Sequence, residues 1–252
     1  GRPVESSAVD WDLGVSLSTL NNEITELGLE SFLSTGWVGR HQEGYSVGSL
    51  WAHDVVSAEY NPDTRQVESA LCASDGGEPV PCLSESSRQF AGHPQPDFEG
   101  SVNTTVGLFD RLRIRGLLDF KVGQSKYLTE WWNRCNWRQV CEINAYPERY
   151  SPEEVAATQM GLADEFQLWV QESSFARLRE VSVNYALPSR ITSLVGADDA
   201  SITVAGRNLG TWTDWGGIDP ETLNLAFSDD TPEGQAMMPP LTQFTATVNV
   251  SF

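Results

Sequence analysis

Cysteine, histidine and tryptophan are the side chains of this 252-residue chain whose chemistry depends most on where they fall. The four cysteines form two close pairs, Cys72 with Cys82 and Cys135 with Cys141, each in a polar or Trp-rich stretch. An even count in local pairs suits two loop-stapling disulfides and an oxidising compartment. Free thiols and a zinc site are the competing readings, but neither spacing is CxxC and no histidine stands beside either pair. His41, His53 and His93 are scattered, no serine sits in GxSxG, and no glycine run matches a phosphate cradle. These residues point to no enzyme, no metal and no cofactor. Binding is better served: Trp131, Trp132, Trp137, Trp212 and Trp215 fall in loop-like stretches, where flat rings can stack on sugars or peptide side chains. The same rings suit an interfacial belt or loop-on-loop packing. Trp11 and Trp51 read as strand anchors.

Charge narrows the partners. With 35 acidic against 16 basic residues the formal charge is -19, so nucleic acid is a poor partner. The acids crowd residues 75–85, 148–154 and 219–233, whereas Arg111, Arg113 and Arg115 sit in an alternating stretch. Arg177 and Arg179 alternate with Ala176 and Leu178, which suits pairing with acids such as Glu180. Asp219, Pro220 and Glu221 suit a fixed loop turn.

The elements that must position these residues are strands. In 241–252, LTQFTATVNVSF, the residues Phe244, Ala246, Val248, Val250 and Phe252 share one face and small polar residues the other. The same period-two pattern predicts strands at 9–20, 98–108, 111–122, 175–187 and 200–209. Segment 32–40 is a further spanning candidate. A turn at Phe109 and Asp110 joins the second and third strands. Strands of eleven or twelve residues are long for a soluble sandwich and suit tilted membrane strands. Connections run long, short, long, short, long, the habit of outer-membrane barrels with long outer loops and short periplasmic turns, which would place the last residue in the periplasm. Residues 21–95 read as a long excursion rather than scaffold, with a short helical turn in NNEITELGLE and an extended stretch at 47–60. SPEEVAATQMG at 151–161 predicts a helix capped by Ser151, with Pro152 first and two glutamates in the first turn. No stretch is apolar enough for a membrane helix, which leaves a barrel untouched.

Two stretches resemble a known family. SSFARLREVSVNYALP, 173–188, resembles the SFxRLRNVxLxYxLP signature of SusC/RagA-type TonB-linked outer-membrane proteins through Phe175, Arg177, Leu178, Tyr185 and Pro188. GRNLGTWTDWGGIDPE, 206–221, resembles the GxNLxTxTxYxGxDPE segment that follows it, through Asn208, Leu209, Asp219, Pro220 and Glu221. The looser EGYSVGSLW at 43–51 and GHPQPDFEGSVN at 92–103 recur in the same order. The resemblance implies an all-β, antiparallel transmembrane barrel of about 22 strands around a plug, of which residues 1–252 would be the C-terminal part, with plug, TonB-box segment and N-terminal strands upstream. It implies an importer of oligosaccharides or peptides, partnered by a SusD-like lipoprotein lid, TonB, the barrel-assembly machinery and outer-membrane lipid. Phe244, Val248, Val250 and Phe252 resemble the terminal signal that the assembly machinery reads. Rival readings are an outer-membrane adhesin or structural barrel without import, and a secreted sugar-binding β-sandwich.

Overall fold

The computed structural model describes residues 1–6, 8–36, 38–82, 88–160, 166–221 and 238–252. Six long strands form one antiparallel sheet in chain order: β1 (Val9–Thr19), β2 (Phe98–Leu108), β3 (Leu112–Val122), β4 (Phe175–Ala186), β5 (Asp199–Thr213) and β6 (Gln243–Ser251). A two-residue strand, Val4–Glu5, folds back on the start of β1. Antiparallel order puts every long connection at one end of the sheet and every short one at the other. At the short end, Phe109 and Asp110 turn the chain with positive φ, and Ser189–Thr192 adds one helical turn before β5. No described helix is long and apolar enough to cross a membrane.

Register makes the faces continuous. Leu17, Gly100, Phe120, Ala176 and Trp212 are successive partners across the sheet near the loop end. Trp11, Val106, Ile114, Val183, Val204 and Ala246 form a second such row. The opposite face carries Asp12, Thr105, Arg115, Ser182, Ala205 and Thr245 in the same way. One irregularity interrupts the rows. Leu117 pairs with Glu180 and Leu118 with Leu178, so Arg179 is the extra residue of a bulge, and β5 skips Asn208 and Leu209 opposite it. The bulge lets Arg179 and Glu180, consecutive in sequence, both lie on the polar face.

The apolar core is not in the sheet. Among described buried apolar side chains, only Phe175 and Ala205 belong to the six long strands, and both are on the polar face. On the apolar face Val15, Phe244 and Val248 are 67%, 76% and 64% exposed. The core lies in the long connections, where Val38, Leu50, Cys72, Tyr127, Cys135, Val155, Phe166 and Trp169 gather in one cluster. The first connection makes a four-stranded sheet (Phe32–Ser34, Gly39–Gln42, Ser49–Ala52, Gln89–Gly92) and a three-stranded one (Val55–Asn61, Gln66–Cys72, Val80–Pro81). The second contributes the predicted helix, Pro152–Gln159. Ser151 Oγ accepts from Glu154 N at 3.2 Å while Glu154 Oε2 accepts from Ser151 N at 2.9 Å, a reciprocal capping box. That helix packs on Val55–Asn61, and Gln159 bridges to the backbone of Arg65 and Val67. Both cysteine pairs are disulfides, Cys72–Cys82 and Cys135–Cys141.

Several expectations change. The described part of residues 21–95 builds small sheets of its own, of which only the extended stretch at 47–60 was expected, because the strands are too short to show a period. NNEITELGLE forms no helix, since its Gly28 turns the chain with positive φ and its backbone pairs elsewhere, Ile24 with Tyr45 and Gly44. Segment 32–40 joins the small sheet rather than spanning. Strand β5 runs on to Thr213 because the bulge at Asn208 absorbs the irregularity that marked its expected end.

Candidate functional site

Arg177 sits on the polar face at the loop end of β4, only 2% exposed. Strand geometry aims it and Arg179 at the segment that follows β5. Arg177 Nη2 donates to both carboxylate oxygens of Asp219 at 2.7 Å, and Nη1 donates to Glu221 Oε2 at 2.8 Å. Arg179 grips Glu221 with both terminal nitrogens and donates from Nε to Asp119 Oδ2 at 2.8 Å. Lys126, also buried, donates to the carbonyl of Pro220. Three cations thus face three carboxylates, with Glu221 N closing the turn onto Asp219 Oδ1 at 2.8 Å. The match matters, since an unpaired buried charge is costly whereas a paired and hydrogen-bonded one is tolerated. The two sequence motifs named above are therefore the two halves of one clamp.

The clamp has an outer row. Glu130 accepts from Ile218 N at 2.8 Å, and Trp131 Nε1 donates to Gly216 O at 3.0 Å. Gly217 has no room for a side chain, because a Cβ there would lie 2.3 Å from Trp215 Nε1. Trp215 itself is buried. Burial pulls the Lys126 ammonium down to about 8, against the stabilising charge of Asp219. Glu221 is held below the usual carboxylate range, chiefly by its hydrogen bonds from Arg179. Burial pushes Glu130 up, opposed by the Ile218 amide.

Other expected partners differ. Glu180 pairs with Arg207 at 2.8 Å instead of Arg177 or Arg179, because the bulge turns it along the polar face toward β5. Arg111, Arg113 and Arg115 are exposed and make no ion pair among the described residues. The five tryptophans do not form one surface. Trp131 and Trp215 belong to the clamp, Trp132 and Trp137 stack on each other with centroids 6.4 Å apart, and Trp212 lies on the apolar face of β5. Tyr185 shares that face, as do Phe244, Val248 and Val250, with Phe252 directly after the strand. Lys126, Glu130 and Asp119 gave no motif signal. Asp119 reaches the clamp as the register partner of Arg177, a pairing across the long second connection that no local pattern shows.

No family model matches the chain. It is 23% identical to the TonB-dependent receptor P3 of Formosa agariphila over 250 residues, covering 87% of this chain and 24% of that protein. Among solved structures, the RagAB peptide importer in its closed-closed state matches over the whole chain at TM-score 0.77 and 16% identity. The open-open state matches at 0.72 and 14%. Sequence and fold both bear out the resemblance to SusC/RagA-type TonB-dependent receptors. The chain spans about a quarter of the length of these relatives. The clamp lies at the end of the sheet that carries the long loops, and the proteins the chain resembles are receptors and importers by name.

Proposed function

We propose that residues 1–252 form a C-terminal part of the wall and outer loops of an outer-membrane TonB-dependent importer of oligosaccharides or peptides. The observation that carries this reading is the sheet itself. Six strands of nine to fifteen residues share a continuous apolar face that no described element covers, while the core sits in the loops. A soluble sandwich buries that face against a second sheet; a membrane wall turns it to lipid and keeps the polar face wet. Trp11 and Tyr185 near the short-turn end, with Phe98 and Trp212 near the loop end, then form the two aromatic girdles. The long loops face outward and Phe252 inward, toward the periplasm.

In this reading the remaining strands, the plug and the TonB contact come from chain beyond these residues, and a SusD-like lipoprotein covers the loop end. The clamp between Arg177 and Asp219 fixes the loop that such a lid would meet. Phe244, Val248, Val250 and Phe252 serve the barrel-assembly machinery. The experiment is fractionation and uptake. The receptor should enter the outer membrane as a heat-modifiable band, and loss of its gene or of TonB should abolish uptake of the same oligosaccharide or peptide. A protein that stays soluble without detergent and binds glycan would mean a secreted sandwich. An outer-membrane protein whose loss leaves all uptake intact would mean an adhesin or structural barrel.

A further inference from the structure

Strand β3 carries Arg113 and Arg115 on the polar face of the long sheet, with Arg111 directly before it. The other cations of the six long strands each hold a carboxylate. Lys121 pairs with Glu99 at 3.2 Å, Arg177 and Arg179 serve the clamp, and Arg207 pairs with Glu180. Arg111, Arg113 and Arg115 are exposed and pair with no carboxylate among the described residues.

Register accounts for the difference. Arg113 lies between Gly107 on β2 and Asn184 on β4, and Arg115 lies between Thr105 and Ser182, so no residue directly opposite either arginine is charged. Asn184 is committed elsewhere, donating to Thr203 Oγ1 at 2.8 Å. On β1, Asp12 accepts from Arg2 at 3.0 Å. The Asp10 carboxylate lies over Gly107, where a Cβ would come within 2.1 Å of Oδ1, and stops short of an ion pair with Arg113. Like charges on alternate residues of one strand face are left to repel each other through water. In a chain of net charge -19, a negatively charged partner meets repulsion over most of the remaining surface. The strip is a local exception that fixes where such a partner can lie.

Spacing selects the partner. Alternate residues of a strand stand roughly 7 Å apart, and the same interval separates alternate side chains of any other extended polypeptide. Aspartate or glutamate at every second position of such a segment meets the arginines one for one, whereas a small anion meets only one of them. Exposed ion pairs are individually weak. They hold a free ligand poorly, yet they can set the register of a segment already tethered to the same molecule. The chain spans about a quarter of the length of its relatives, so on the reading above most of the receptor's polypeptide lies outside it. We infer that Arg113 and Arg115, extended by Arg111, form a docking strip for an extended acidic segment of the same receptor, from outside residues 1–252, with Asp or Glu at alternate positions. The inference rests on the wall reading, which makes the polar face the inside of a lumen.

The test is zero-length cross-linking in the full receptor, purified in detergent, with Arg113→Lys or Arg115→Lys. Each variant keeps the charge and supplies an amine, which a water-soluble carbodiimide joins as an amide to a carboxylate in contact with it. Mass spectrometry then names that carboxylate. Both lysines should link to Asp or Glu of one segment outside residues 1–252, at positions two residues apart, and the yield should fall as salt rises. In the receptor carrying Arg113→Glu with Arg115→Glu, a protease should cut the linked segment on the order of tenfold faster. Unchanged cleavage of the loop core guards against misfolding of that variant. Links to Asp10 would show that the strip is neutralised within its own sheet and would overturn the inference. Links to another protein, no link from either lysine, or links abolished by added oligoglutamate peptide would overturn it as well. A receptor that enters the outer membrane and imports, yet gives none of the expected links, refutes the docking strip alone; one that stays soluble without detergent refutes the wall reading and the strip together.

Discussion

Arg177 is the side chain on which the clamp depends. It is almost wholly buried and serves two carboxylates, one of which, Asp219, is buried too. Arg177→Met would take the guanidinium from buried Asp219, at a cost of about 3–5 kcal/mol. Arg179 is partly exposed and Glu221 keeps contact with Arg177 when it is lost, so Arg179→Met should cost about 1 kcal/mol. Limited proteolysis in detergent reads both, with cleavage within 214–221 expected to accelerate strongly in the first variant and little in the second. The reverse order would show that Glu221, not Asp219, holds the loop. Lys126 gives the clamp a pH dependence. Its folded pKa lies below the unfolded one, so between about 8 and the ordinary lysine value the unfolded state binds more protons and stability rises with pH. Resistance of the loop relative to a Lys126→Met variant should therefore improve from pH 8 to pH 10. A constant ratio across that range would mean that the ammonium is not strained. Of this site the sequence disclosed the two motifs and their basic and acidic residues. It could not disclose that they meet, because Arg177 and Asp219 are joined only through the strand pairing of β4 with β5 and the path of the loop between.

At the scale of elements, period-two alternation located all six long strands, since a strand with one apolar and one polar face must show it. It failed where the strand is not regular. Along β4 the apolar positions are even up to Leu178 and odd from Val181, and the adjacent polar pair Arg179–Glu180 marks the change of phase. Bulged residues were thus readable in principle as a slip in the period. Asn208, across from the bulge, has φ of 51°, a left-handed conformation that asparagine tolerates and a β-branched residue does not. Asn208→Val should lower stability by about 1–2 kcal/mol, whereas Asn208→Gly should be close to neutral. A detergent unfolding midpoint would separate them, and equal losses would point instead to the bond that Asn208 Nδ2 donates to Leu241 O. Beyond the extended stretch at 47–60, the loop sheets escaped sequence reading for a different reason. Their strands are two to seven residues long, and their shared core is assembled from Val38, Cys72, Tyr127 and Val155, which no local pattern connects.

For the molecule as a whole, the decisive feature is the division of labour between an uncovered apolar wall and a loop layer with its own disulfide-stapled core. A wall of this kind has open edges. Strand β6 pairs with β5 on one side and with no described strand on the other, while β1 is covered beyond β2 only by Val4–Glu5. On the proposed membrane reading, unpaired backbone groups in hydrocarbon each cost several kcal/mol, so the edge of β6 would need a further strand before the sheet could enter a bilayer. On the same reading, the step that delivers it is assembly. Phe252 is 82% exposed and directly follows the strand that carries Phe244, Val248 and Val250 on one face. Removing it should therefore leave synthesis and the loop core unchanged and reduce insertion. The expected result for the receptor lacking Phe252 is normal abundance on pulse labelling, intact Cys72–Cys82 and Cys135–Cys141 bonds, and a deficit of the heat-modifiable outer-membrane form. Insertion at the normal rate would assign the terminal ring to the lipid-facing girdle alone, and would shift the burden of recognition to the edge of β6 itself.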